Sequence, residues 1–113
     1  MSPRRGEVWL VDFDPPVARE QGYVHPAVIA SSDDLNGGPS GVVIVVPTTS
    51  TPRGLATHIE LEVGDTGLDA TSYAKAEDVK SLSTARLLHK LGTVPIQVMY
   101  EIDQALRVVM ELG

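Results

Sequence analysis

Apolar and polar positions alternate or cluster along this chain in a way that predicts a series of short strands closed by one helix. Residues 6–13, with Val8, Trp9, Leu10 and Val11 at their centre, read as a first strand that Asp14-Pro15-Pro16 terminates. Residues 26–30 form a second short strand, released by Ser31-Ser32-Asp33-Asp34, and residues 36–41 a turn or loop. Val42-Val43-Ile44-Val45-Val46 is an unbroken β-branched run, which predicts a central strand buried on both faces; Pro47 is expected to close it. A hydroxyl-rich loop, Thr48-Thr49-Ser50-Thr51-Pro52-Arg53-Gly54, follows.

Residues 58–63 alternate strictly, predicting a half-exposed strand with Ile59, Leu61 and Val63 inward. Residues 64–67 turn the chain. Residues 72–76 and 79–82 look like strand pieces, residues 83–88 like one helical turn capped by Ser83, and residues 91–94 like a last strand. Val98, Met99, Ile102, Leu106, Val109 and Met110 then recur at three- and four-residue steps, a single apolar stripe, with Pro95 suited to the first helical position. Several short strands before one terminal helix predict a compact, mostly antiparallel barrel with the helix packed on it.

A length of 113 residues is enough for one domain, here the whole of 1–113, and the absence of cysteine excludes a thiol nucleophile and cysteine-ligated metal sites. Neither an apolar signal core after Arg4-Arg5 nor an apolar stretch of about 18 residues is present, so we expect a cytoplasmic protein with no membrane partner. The net charge of −6 argues against strong non-specific binding to nucleic acid, and any polyanion must be held locally by a few of the nine Lys and Arg.

The stretch from Arg19 to Ile29 concentrates charged and titratable groups between two strands, punctuated by Gly22 and Pro26, and is where a working site is expected. His25 titrates near neutral pH and suits proton transfer; the plain alternative is a surface histidine in a loop. Thr49 can donate its hydroxyl to a phosphate oxygen or merely cap a turn, and Thr48, Ser50 and Thr51 compete for that role. Arg19 and Arg53 are the nearest fixed positive charges; Glu20 can act as a base, orient His25 or order the loop; Gln21 can reach a base edge or simply turn the chain. His58 and His89 have no ligand-like spacing with His25, so no metal site and no cofactor is expected. Trp9 reads as core or as a contact between subunits rather than as a base-stacking platform.

Five blocks in order resemble the MazF/PemK toxin family: Arg5-Gly6-Glu7-Val8-Trp9-Leu10-Val11-Asp12-Phe13-Asp14-Pro15, Glu20-Gln21-Gly22, Pro26-Ala27-Val28-Ile29, Val45-Val46-Pro47-Thr48-Thr49-Ser50, and Ala76-Glu77-Asp78-Val79-Lys80-Ser81-Leu82 with Arg86-Leu87. The resemblance implies an SH3-like, CcdB-type antiparallel barrel with helices, assembled as a homodimer. It also implies metal-independent cutting of single-stranded RNA at short sequences. The RNA's own 2′-hydroxyl attacks, leaving a 2′,3′-cyclic phosphate and a 5′-hydroxyl, and a cognate antitoxin blocks the groove. The family places an arginine before the proline of the second strand and a threonine two residues after the proline of the central strand. Here these positions hold His25 and Thr49, so the first departs from the family pattern. On this reading His25 and Thr49 are catalytic, and Arg19, Glu20, Gln21, Ser50 and Arg53 bind substrate. The alternative is a non-enzymatic protein on the same barrel, either a CcdB-like poison of a protein target or a catalytically weakened MazF-like binding protein.

Overall fold

The computed structural model describes residues 2–13 and 23–113. Its strands are β1 (Glu7–Asp12), β2 (Val24–Ile29), β3 (Val42–Thr49), β4 (His58–Leu61), β5 (Ser72–Lys75), β6 (Lys80–Ser83) and β7 (Leu87–Thr93); its helices are α1 (Asp33–Asn36) and α2 (Ile96–Met110). All pairings are antiparallel, in the order β4-β5-β3-β2-β1-β7, with β6 also on β3. The architecture is thus mainly β with a C-terminal helix, and barrel-like. No pairing joins β4 to β7 among the described residues, so the sheet is curled rather than closed.

β3 is the strand on which the others converge. Its first half pairs with β6, its middle with β2 and its last two residues with β5. Two apolar clusters form on its two sides, as the β-branched run predicts. Val46 joins Val8, Val28, Leu61, Ala74 and Ile102 in one, while Val43 and Val45 join Val11, Ala27 and Ile29 in the other. α2 seals the first cluster with Ile102, fully buried, and with Val98, Met99 and Leu106. Burying a side chain the size of Ile102 contributes about 1.5–3 kcal/mol. The second cluster is bounded by Trp9, Phe13, Leu82 and Leu87 from the sheet itself. Trp9 is half-buried there, and its indole N–H donates to Glu7 Oε1 at 2.9 Å.

Several boundaries differ from the sequence reading. β3 does not end at Pro47 but runs to Thr49. The N–H and C=O of Ile44 bond to the Ser31 hydroxyl and to Ala30 N–H, on the side of β2. Alternation then turns the backbone of Pro47 to the opposite side, where β6 pairing has ended at Val45 and β5 pairing begins at Thr48. The missing N–H therefore costs no ladder bond. Residues 31–36, read as a release and loop, contain α1, whose N-terminus the Ser32 hydroxyl caps by accepting from Leu35 N–H at 3.2 Å.

β4 stops at Leu61, which is buried, and Val63 is exposed rather than inward. Ser83 does cap a single turn, a 3₁₀ turn over Thr84–Arg86, but Leu87 and Leu88 belong to β7. Pro95 is the cap of α2 rather than its first residue, and Val109 and Met110 are exposed. At the far end, the turn at Gly67 (φ +72°) lies so close to β7 that a Cβ there would sit 2.0 Å from the Leu91 carbonyl oxygen, so only glycine fits. No helix among the described residues is long and apolar enough to cross a membrane.

Candidate functional site

His25 is the second residue of β2, not a loop residue preceding it. Val24 and His25 pair with Asp12 and Val11 of β1, so the strand begins two residues ahead of Pro26. Strand placement matters because it fixes which way the ring points. His25 is directly across from Val11, a member of the second cluster, and cross-strand partners share a face. The imidazole therefore stands on the sheet face opposite α2.

Thr49 reaches the same face from β3. The β2–β3 register is Ile29↔Val45, Val28↔Val46 and Ala27↔Pro47; carried two residues further, it sets Thr49 beside His25. On its other flank Thr49 pairs directly with Tyr73 of β5, and Lys75 lies two residues along that strand on the same face. The sheet thus collects an imidazole, a hydroxyl, a phenol and an ammonium from three adjacent strands.

Hydrogen bonds assign different jobs to the neighbouring threonines. Thr48 is buried, and its hydroxyl donates to the Pro26 carbonyl at 2.9 Å, tying β3 to β2. Thr49 is half-buried, and its Oγ1 accepts from Thr51 N–H at 3.2 Å. Because that bond uses an oxygen lone pair, the Thr49 hydroxyl proton is still there to be donated. The turn-capping and phosphate-binding readings of Thr49 are therefore compatible.

His25 is held below its ordinary value of 6.5, first by burial and next by the positive charge of Lys75; a hydrogen bond to the Thr48 backbone opposes both. A neutral imidazole keeps one ring nitrogen with a free lone pair whichever nitrogen carries the proton. A histidine held below its ordinary value is equipped to accept a proton. Lys75 itself pairs with Asp78 at 3.0 Å.

A second polar group stands beside Lys75 on the neighbouring strand. His58, paired with Lys75 across β4 and β5, is buried and bonds through Nε2 to Glu77 Oε2 at 2.7 Å. The Thr57 hydroxyl donates to Glu77 Oε1 at 2.7 Å. Burial pushes the Glu77 carboxyl up, but the bonds from Thr57 and His58 outweigh it and hold it below its ordinary range. These contacts fasten the 3₁₀ turn Ala76–Asp78, and with it the end of β5, to the start of β4 beside it.

The remaining candidates divide simply. Ser50 and Arg53 are exposed in the segment after β3. Arg19, Glu20 and Gln21 lie outside the described residues. Lys75, Tyr23 and Tyr73 were not singled out in the sequence, although Tyr23/His25 and Tyr73/Lys75 each carry the two-residue spacing that places side chains on one strand face.

Residues 4–110 match the family model described as PemK-like, MazF-like toxin of type II toxin–antitoxin system. The chain belongs to the PemK/MazF toxin family. Endoribonuclease MazF9 of Mycobacterium tuberculosis is 36% identical over 114 residues, covering 96% of this chain and 97% of that protein. A mycobacterial endoribonuclease solved in complex with its cognate antitoxin superposes with a TM-score of 0.83 at 27% identity, covering 99% of this chain and 98% of that one. MazF from Deinococcus radiodurans gives a TM-score of 0.82 at 25% identity, covering 99% of each chain. These relatives side with the ribonuclease-toxin reading and not with the protein-target poison.

Proposed function

We propose that this PemK/MazF-family toxin is an endoribonuclease that cuts single-stranded RNA by attack of the RNA's own 2′-hydroxyl, with His25 and Thr49 at the reacting phosphodiester. The observation that carries the reading is the placement of His25 and Thr49 on adjacent strands of one sheet face, with Lys75 on the same face.

In this mechanism the open nitrogen of His25 takes the proton of the 2′-hydroxyl as its oxygen attacks phosphorus. The bond from phosphorus to the 2′-oxygen forms and the bond to the 5′-oxygen breaks. The imidazolium so formed returns the proton to the departing 5′-oxygen. Charge building on the non-bridging oxygens is met by the Thr49 hydroxyl and the Lys75 ammonium. The products are a 2′,3′-cyclic phosphate and a 5′-hydroxyl. The RNA supplies the nucleophile, so the reaction as drawn calls for no metal.

Lys75 supplies the fixed charge that the family's arginine would bring at position 25. Lys80, whose ammonium lies 5.4 Å from the centre of the Phe13 ring, adds a second cation on this face despite the net charge of −6. Ser50 and Arg53, exposed beside Thr49, together with Arg19, Glu20 and Gln21, contact the strand on either side of the cut. The toxin acts as a cytoplasmic homodimer, and a cognate antitoxin silences it by covering this face.

The test is incubation of purified protein with a heterogeneous RNA pool in chelator, followed by chemical analysis of the new ends. Fragments with cyclic-phosphate and 5′-hydroxyl termini are expected. An intact pool at high protein concentration would overturn the proposal.

A further inference from the structure

Beside the groups that handle phosphate, the same face carries a row of rings. Tyr23 and His25 stack with ring centres 5.6 Å apart and planes within 14°. Phe13, whose backbone N–H donates to the Tyr23 carbonyl at 2.8 Å, sets its ring 5.9 Å from Tyr23 at a tilt of 46°. Lys80 sits over Phe13 at the far end. The row therefore runs from the imidazole of β2, through Tyr23 just before β2 and Phe13 just after β1, to a cation on β6.

Tyr23 keeps 53% of its surface exposed. The other exposed tyrosine, Tyr100, lies on α2, which packs on the opposite face of the sheet. An exposed aromatic ring in line with a general base has a clear use if the substrate is single-stranded. Unpaired bases are splayed out and stacked on aromatic side chains, whatever their sequence.

We propose that Tyr23, backed by Phe13, is the stacking platform for the nucleobase next to the phosphodiester on which His25 and Thr49 act. This rests on the endoribonuclease reading and adds a base-binding subsite to it. Stacking takes any base, so Tyr23 contributes affinity and register, while the choice of sequence falls to other contacts.

The experiment measures fluorescence anisotropy of a labelled single-stranded DNA of about 12 nucleotides, a length suited to one small binding face. DNA lacks the 2′-hydroxyl and cannot be cut. Wild-type full chain is compared with Tyr23→Ala, Tyr23→Leu and Tyr23→Phe, on mixed-sequence DNA and on an abasic sugar–phosphate strand of equal length. Loss of one stacked base is expected to weaken binding of Tyr23→Ala and Tyr23→Leu by about tenfold or more, with Tyr23→Phe within about twofold of wild type. All four proteins should bind the abasic strand alike.

Unchanged DNA affinity in Tyr23→Leu, or an equal loss on the abasic strand, would overturn the platform. If wild type meanwhile cuts RNA in chelator, the platform falls and the nuclease reading stands. If wild type neither cuts RNA nor binds the DNA, both fall.

Discussion

The Thr48 hydroxyl donates to the Pro26 carbonyl at 2.9 Å, and this partly buried bond ties β2 to β3 where the site is built. Next to it in the chain, Thr49 is half-buried on the face that carries His25, and its Oγ1 accepts from Thr51 N–H at 3.2 Å. Two adjacent threonines thus divide a structural task from a chemical one.

That division predicts opposite phenotypes. Thr49→Ala removes one donor to the developing phosphate charge and should lower kcat/KM by about 100-fold or more, with little change in melting temperature. Thr48→Val removes the hydroxyl that donates to the partly buried Pro26 carbonyl and should cost about 1–3 kcal/mol of stability. Its cleavage rate well below the melting transition should fall far less than that of Thr49→Ala. Single-turnover cleavage and denaturant melts of both variants check the pair.

Lys75 should set the pH at which the enzyme switches on. Its charge helps to hold His25 below 6.5, so Lys75→Met should let the ring bind a proton at higher pH. A base must be unprotonated to act, so the acid limb of the cleavage rate should move to higher pH in this variant. Titration of the His25 imidazole by NMR should show the same displacement.

Acid should unfold this protein through identifiable groups. Glu7 accepts from Arg4 N–H at 2.8 Å and Trp9 Nε1–H at 2.9 Å and pairs with Lys90 at 3.1 Å. Burial raises it, but these bonds outweigh burial and hold it below the ordinary 4.5. Glu77 is lowered in the same way. A carboxylate lowered in the folded state contributes stability above its unfolded value, lost as pH falls through the folded one. His25 acts in the same direction, because the unfolded chain takes up its proton first, below about pH 6.5. Melting temperature should therefore decline from about pH 6.5 downward and more steeply below about 4.5. Glu7→Gln should flatten the lower part of that decline, at a cost of about 1–3 kcal/mol at neutral pH.

Much of this was legible in the sequence because two periodicities carried it. The β-branched run at 42–46 announced a strand buried on both sides, and the stripe through Ile102 announced the helix that covers one of them. Prolines misled the reading twice. Pro26 and Pro47 both look like strand ends, but each sits inside a strand, and for Pro47 the reason is tertiary: the neighbouring strand changes from β6 to β5 there. With Pro26 taken as a boundary, His25 fell in a loop, and its stacking partner Tyr23 carried no meaning. Lys75 was invisible for a different reason. It is 50 residues from His25 in the chain, and only the pairing of β5 with the end of β3 brings it to the site.

The most direct measurement is the pH dependence of cleavage in chelator, with fragment ends mapped, for wild type and His25→Arg, between about pH 4.5 and 8. If His25 is the base, wild-type cleavage rises with pH through a single step below 6.5 and then levels off. His25→Arg cuts at the same phosphodiesters without that step, whatever its rate. An identical step in both proteins, or no defined fragments from either, would contradict the account.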